Sequence, residues 1–185
     1  MGEKKEKFLA NKTLIAWLLL CFLAVVWGLS FILIKKVTST YSAIEIGAGR
    51  VFIAALVLSP WALRDTKNFP KEKNKYFLLS GFLGFLFPAL IFAFLGSRIN
   101  SSLAGTLNST TPIFTLIVGA LFFATAITRF QVSGILLGFV GSLLLIFSGN
   151  DGELNFDNPF ALLALAATVM YGFNVHIIGK HLRNI

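Results

Sequence analysis

Six apolar stretches, each between 18 and 24 residues long, dominate this sequence and decide what it can fold into. A helix needs roughly 20 apolar residues to cross a bilayer core about 30 Å thick, because each residue advances the helix by about 1.5 Å. The stretches do not alternate as the strands of a membrane barrel do. We therefore predict an all-α membrane protein, a polytopic bundle of six transmembrane helices that satisfy their own backbone in lipid. The predicted spans are residues 14–34, 44–63, 76–95, 103–126, 130–147 and 159–178.

The composition excludes other classes of protein. Of the 185 residues, 56% are hydrophobic and 13% are charged, whereas soluble domains have roughly 45–50% and about 25%. So much apolar surface cannot be buried inside one small soluble globule. Disordered chains have a low hydrophobicity, so that class is excluded as well. The net charge of +8 does not indicate nucleic-acid binding, because the basic residues lie between apolar stretches rather than along one soluble face. The lipid bilayer is the expected partner.

Lysine and arginine predict how the spans are oriented. Twelve of the sixteen fall in the N-terminal segment, the second and fourth connections and the C-terminal tail, whereas only Lys35, Lys36 and Arg98 fall on the opposite side. Cytoplasmic loops carry an excess of basic residues. We therefore expect a cell-membrane protein with both termini in the cytoplasm, residues 1–13 as a cytoplasmic segment and residues 149–158 as an acidic external loop.

One internal match points to an inverted repeat. Residues 25–36, VVWGLSFILIKK, align with VMYGFNVHIIGK found 144 residues later, which pairs Trp27 with Tyr171 and Ser30 with Asn174. The two copies begin five spans apart, so the second copy must cross the membrane in the opposite sense. Inverted repeats are a recurring plan of secondary transporters, whose substrate site lies near the midplane at the repeat interface. The alternative is chance similarity between two apolar helices.

Several stretches, taken in order and spacing, resemble the EamA-type drug/metabolite transporters, which are ten-helix permeases built from two inverted five-helix halves. These stretches are WGLSF (27–31) with Lys35, AGRVFIAALVL (48–58) around Arg50, NSTTPIFTLIVGALFF (108–123), QVSGILLGFVGSLLLI (131–146) and MYGFNV (170–175). The resemblance implies that residues 14–148 form the first five-helix repeat and that residues 159–185 form the first helix of a truncated second repeat. It also implies a permease that moves small metabolites or drug-like solutes by alternating access. One departure is Thr125, which stands where an acidic residue commonly ends the fourth helix.

Two other interpretations stay open at this point. The chain could be a truncated or vestigial membrane protein without transport activity, or a half-transporter that needs a partner chain, including a second copy of itself. ATP-driven pumping is not expected, because the sequence has no Walker loop. An enzyme is not expected either, because no intramembrane cluster of His, Asp and Glu supplies catalytic groups. For the same reason we expect no metal site and no cofactor.

The fourth span carries the strongest candidate site for a small-molecule solute. Pro112 lies about nine residues into this span, roughly 14 Å deep and therefore close to the midplane. Its missing N–H is expected to leave the carbonyl of Asn108 free, beside the Asn108 amide and the hydroxyls of Thr110 and Thr111. This cluster suits hydrogen bonds to a small polar solute. The alternative is a simple kink, in which the hydroxyls bond back to their own helix.

Two further features interrupt the apolar spans. Arg50 lies inside the second span, where an unpaired guanidinium is costly, so it should face a wet cavity or pair with a carboxylate such as Glu45. A structural brace and a site for an anionic group are both open. In the third span Pro88 is expected to free the carbonyl of Gly84, which favours either a transport site or close helix packing.

Four more residues complete the candidate substrate-binding set. Lys35 either reaches the outer interface or faces the cavity, and the family resemblance favours the cavity. Trp27 and Tyr171 lie in the middle of their helices, where they either line the cavity or pack against neighbours. Ser30 lies one turn beyond Trp27. His176 is expected near the inner interface as a polar anchor, not as a proton relay.

Overall fold

The computed structural model describes residues 2–65, 70–148 and 159–183, and within these ranges it contains helices and no strand. A short 3₁₀ turn, Lys71–Lys73, precedes α3, and π-helical segments follow α3 at Phe82–Leu86 and α8 at Ile178–Leu182. The acidic loop expected at 149–158 lies outside the described residues. The α-helices are α1 (Gly2–Val37), α2 (Ala43–Asp65), α3 (Asn74–Gly81), α4 (Phe87–Leu95), α5 (Ser101–Ser109), α6 (Thr111–Phe123), α7 (Arg129–Ser148) and α8 (Phe160–Ile177).

Most of these helices join into segments that are long and apolar enough to cross a membrane. α7 contributes a shorter apolar stretch, Arg129–Leu144. Five to six apolar helices in an all-helical bundle confirm the predicted fold class. The five longer segments are Lys12–Val37, Ala43–Arg64, Lys71–Leu95, Ser101–Phe123 and Phe160–Leu182.

The third span changes its helical geometry around a proline. Pro88 has no N–H to donate, and its ring would collide with a carbonyl of the preceding turn of a regular α-helix. The backbone widens instead into the π-helical segment Phe82–Leu86, and the N–H of Phe87 bonds to the carbonyl of Phe82. The chain therefore continues as α4 without leaving the span.

The fourth span ends earlier than predicted. The apolar pattern predicts helix to residue 126, but α6 ends at Phe123 because Ala124 adopts a left-handed conformation with φ of 50°. The N–H of Thr125 then bonds to the carbonyl of Gly119 at 3.0 Å and closes the helix. The sequence prediction is wrong here because the left-handed position is occupied by alanine instead of the glycine that usually marks such an end.

α8 occupies the centre of the described bundle. In the segment Phe160–Leu182, 39% of an apolar stretch of 18 residues is buried inside the bundle, compared with 6% of such a stretch in Lys12–Val37. α8 contacts α4, α5, α6 and the π-helical segment Phe82–Leu86. The helix that the sequence assigns to a second repeat is thus packed among helices of the first. The core around it consists of Phe92, Leu95, Ile99, Leu103, Ala104, Leu107, Ala161, Ala164 and Ala167.

Contacts at the two ends of the bundle agree with spans that alternate in direction. At one end the ring of Tyr76 stacks on that of His181, with centroids 3.8 Å apart. At the other end Lys35 Nζ donates to the carbonyl of Ile99 at 3.2 Å. The assignment of one end to the cytoplasm depends on the distribution of Lys and Arg alone and stays a prediction.

Candidate functional site

The fourth span is broken at Thr110, where α5 ends and α6 begins. Thr111 Oγ1 donates to the carbonyl of Asn108 at 2.6 Å, which replaces the N–H that Pro112 lacks. The expectation of a free carbonyl at Asn108 is therefore wrong, because a neighbouring hydroxyl satisfies it. Ser109 and Thr110 likewise donate their hydroxyls to carbonyls three residues earlier. These hydroxyl protons are committed to their own helix, as the kink interpretation expected.

The Asn108 amide is the polar group that the break leaves available. Asn108 is half-buried, and within the described ranges its side chain makes no hydrogen bond. An amide offers two N–H donors and one carbonyl acceptor. Of the four residues predicted at this break, Asn108 is thus the one whose side chain can bind a solute without first breaking a bond. Pro112 is exposed on the bundle.

Thr111→Val is expected to destabilise the protein by about 1 kcal/mol, because it removes the hydroxyl that satisfies the Asn108 carbonyl. The same substitution in a Pro112→Ala background is expected to cost clearly less, since alanine supplies the missing N–H. Thermal unfolding in detergent, followed by circular dichroism, measures both effects. An equal loss in the two backgrounds contradicts this account of the break.

The third span contributes a polar contact that sequence reasoning missed. Ser80 Oγ donates to Asn174 Oδ1 at 2.6 Å, and both side chains are buried. The Asn174 amide also lies directly against Gly84, in the π-helical segment, where a Cβ atom would overlap it. The internal match of Asn174 with Ser30 was the available sequence signal. The π-helical turn therefore receives a polar side chain from the central helix.

Arg50 and Glu45 do not form the ion pair that was one option at the sequence level. The carboxylate of Glu45 accepts hydrogen bonds from the backbone N–H and the hydroxyl of Ser42, at 2.7 and 2.8 Å, and so closes the first turn of α2. Arg50 is exposed on the bundle, and no described residue pairs with it through an ion pair or a hydrogen bond.

Tyr171 precedes the residue at which α8 meets α6. It is half-buried and packs against the core cluster. The next residue, Gly172, meets the backbone of α6, where an added Cβ would lie 3.1 Å from the carbonyl oxygen of Phe114 and 3.2 Å from the Cα of Thr115. These contacts lie just over one turn beyond the helix break. Tyr171 of α8 thus lies near the start of α6.

The remaining predicted residues lie elsewhere. Lys35 donates to the carbonyl of Ile99, which ends the turn after α4, so its ammonium is committed to the connection between α4 and α5. The Trp27 side chain is 63% exposed, and no described aromatic ring contacts it. Ser30 is half-buried on the same helix. Their membership in a binding site stays a prediction.

His176 lies between α8 and α6, and its expected place near the inner interface stays a prediction. Its Nε2 is 2.9 Å from the carbonyl oxygen of Thr115, and its ring stacks on that of Phe123 with centroids 5.0 Å apart. Since a carbonyl accepts, Nε2 must carry the proton in this contact. The ring also lies against Gly119. His176 therefore joins α8 to α6 at two points along α6.

Comparison with known proteins finds a matching family and relatives that are named as transporters. The family model described as EamA-like transporter family matches residues 14–147. An "uncharacterized transporter" of Archaeoglobus fulgidus is 31% identical over 171 residues, which cover 89% of this chain and 59% of the relative. The "uncharacterized transporter YdfC" of Bacillus subtilis is 24% identical over 159 residues, covering 84% of this chain and 52% of the relative. The chain thus spans between half and three fifths of the length of these relatives. No solved structure matches it significantly.

Proposed function

Because this chain belongs to the EamA-like transporter family, we propose that it acts in a permease that moves small polar solutes by alternating access. The family and the five long apolar helices assign it to a membrane, and the family favours a transporter over an enzyme. We place it in the cell membrane with both termini in the cytoplasm, on the distribution of Lys and Arg. The observation that carries the proposal is the packing of α8 against the broken fourth span.

The geometry suggests which parts move during transport. The backbones of α6 and α8 pack directly against each other at Gly172, and the contact between His176 and Thr115 also joins the two helices. They are therefore expected to move as one unit. The break at Thr110 separates α6 from α5 and is the natural point for that unit to turn, since interrupted helices bend where the backbone ladder is broken. Interrupted helices near the midplane are also typical of transport sites.

Transport by the protein can be tested without knowing its solute. The protein is expressed from its complete reading frame and reconstituted into liposomes loaded with a cell metabolite extract. Mass spectrometry then identifies the solutes that leave the lumen. We expect a small set of polar solutes to leave faster than from protein-free liposomes. Identical leakage from both preparations contradicts the proposed function and favours a vestigial membrane protein.

Asn108→Ala is expected to lower the rate for the transported solute about fivefold, the effect of losing one hydrogen bond to it. Its amide is half-buried at the break and has no partner among the described residues, so its loss should leave the fold intact. The same efflux assay measures the effect. Ser102→Ala, on the exposed surface of the same helix, is the matched control. Wild-type rates in the Asn108 variant remove this residue from the site.

A half-transporter that pairs with a second copy is the other candidate function. It is favoured by the wide apolar exposure of α1 and α2. Cross-linking in native membranes, followed by gel electrophoresis, separates the two candidates. We expect a discrete dimer if two copies complete the cavity. Monomers alone, together with measurable transport, contradict the half-transporter.

A further inference from the structure

We propose that the side-chain amide of Asn174 and the backbone carbonyl of Leu83 form a subsite for a neutral amide group of the solute. This inference rests on the proposed permease function and specifies the class of solute. It concerns the place where α8 contacts the π-helical segment Phe82–Leu86. There the third span holds a carbonyl that lacks its helical donor, and α8 holds N–H donors that lack an acceptor.

Pro88 leaves the Leu83 carbonyl without a donor from its own helix. In an α-helix this carbonyl would accept from the N–H of Phe87, but that N–H bonds to the carbonyl of Phe82 instead. In a π-helix it would accept from the N–H of residue 88, which proline lacks. Leu83 is the middle residue of the 25-residue segment Lys71–Leu95. The acceptor is therefore near the midplane, where the sites of transporters typically lie.

Ser80 fixes the direction in which the Asn174 amide points. The hydroxyl of Ser80 donates to Oδ1 of Asn174 at 2.6 Å, so Oδ1 faces Ser80. Nδ2 lies against Gly84, and it is closer than Oδ1 to the Cβ that Gly84 would gain. The N–H of Gly84 and the carbonyl of Leu83 belong to one peptide group. The amide donors and the carbonyl therefore lie at the same turn of the third span.

The N–H donors of Asn174 are unused and reach accessible space. Within the described ranges the bond with Ser80 is the one that this side chain forms, so Nδ2 has no acceptor. Asn174 is only 8% exposed, yet no fully buried side-chain nitrogen of the described chain lacks a partner. Nδ2 must therefore keep some accessible surface. Unpaired donors in an apolar bundle are costly, which favours a ligand that accepts from them.

A neutral amide group complements both partners. Its carbonyl can accept from Nδ2 of Asn174, and its N–H can donate to the carbonyl of Leu83. A carboxylate has no N–H to donate, and it would need a cation at this contact. Lys75 and Lys180, the lysines nearest to the contact along the two spans, lie over aromatic rings instead. The contact therefore favours a neutral amide over an acid.

The test compares three pyridines that differ at one substituent. Nicotinamide has a carbonyl and N–H donors, 3-acetylpyridine has a methyl group in place of the NH₂, and nicotinate carries a negative charge. Their binding to the full-length protein, purified in detergent, is measured by isothermal titration calorimetry. We expect nicotinamide to bind about ten times more tightly than either other compound, because each of them leaves the Leu83 carbonyl unpaired. Equal affinities for nicotinamide and 3-acetylpyridine overturn the subsite.

Two substitutions separate binding from packing. Asn174→Ala and Ser80→Ala both break the hydrogen bond between these residues, but only Asn174→Ala removes the N–H donors. We expect Asn174→Ala to abolish the preference for nicotinamide and Ser80→Ala to keep part of it. A preference that survives Asn174→Ala, or that is lost equally in both variants, overturns the subsite.

Pro88→Ala tests the carbonyl and leaves Asn174 in place. Alanine supplies an N–H that the Leu83 carbonyl can accept, so the preference for nicotinamide over 3-acetylpyridine should fall to about twofold or less. Ser142→Ala, which removes a hydroxyl that bonds within α7, is the control and should leave all three affinities unchanged. An undiminished preference in Pro88→Ala overturns the subsite.

The liposome assay distinguishes this subsite from the permease function on which it rests. Binding that is selective for nicotinamide, without efflux of any solute, would overturn the permease function and support the subsite. Efflux of solutes by a protein that binds nicotinamide and 3-acetylpyridine equally would overturn the subsite alone.

Discussion

Gly172→Leu is expected to lower the free energy of unfolding by about 3 kcal/mol or more, because it forces α8 away from α6. The added Cβ alone would lie 3.1 Å from the carbonyl oxygen of Phe114 and 3.2 Å from the Cα of Thr115. Both atoms belong to the backbone, so no side chain can turn aside to make room. The rest of the leucine side chain would then have to enter the same closely packed contact. Thermal unfolding in detergent and the yield of monodisperse protein both report the loss.

The internal repeat supplies the matched control for this substitution. Gly28 pairs with Gly172 in the repeat alignment, but apart from its chain neighbours and the adjacent backbone of α1, no described atom lies within 4 Å of the Cβ it would gain. Gly28→Leu is therefore expected to change stability little, or to raise it through the helix propensity of leucine, by up to about 1 kcal/mol. A large loss in both variants would contradict the assignment of the contact between α6 and α8 as the sensitive one.

Gly84→Ala is expected to destabilise the protein by about 1–3 kcal/mol, because its methyl group would occupy the place of the Asn174 amide. Asn174 cannot move away freely, since its Oδ1 accepts the hydroxyl of Ser80 at 2.6 Å. Displacing it would leave buried polar atoms without partners, which costs more in an apolar bundle than the steric overlap alone. Thermal unfolding of the variant in detergent measures the effect.

A second substitution should restore part of this stability. In an Asn174→Ala background, Gly84→Ala is expected to cost less than in the wild type, because the smaller side chain leaves room for the methyl group. Gly81→Ala is the control within the same span: Gly81 lies one turn earlier, and nothing surrounds its position within 4 Å. Gly81→Ala and Asn174→Ala should act additively. If Gly84→Ala and Asn174→Ala also act additively, Gly84 and Asn174 are not in the contact described.

Parts of the candidate site could be predicted from residue types alone. A proline, an asparagine and two threonines in an apolar span mark a break wherever they occur, and the structure places a helix break at Thr110. The free carbonyl at Asn108 could not be judged in this way, because Thr111 can satisfy it only in one side-chain rotamer. The hydrogen bond of Asn174 could not be predicted, because its partner, Ser80, lies 94 residues away in the sequence.

The sequence by itself determined that this protein lies in lipid, where its spans are and which family its order of motifs resembles. Each of these follows from local composition, because a helix of about 20 apolar residues satisfies its own backbone in lipid. Only the tertiary structure decided that α8 lies at the centre, that Asn174 meets the π-helical turn at Gly84 and that Glu45 bonds to Ser42 instead of Arg50. In lipid the hydrophobic effect does not select which helix faces meet. That choice depends on small residues and polar contacts between distant parts of the chain, so an apolar pattern read along one helix does not contain it.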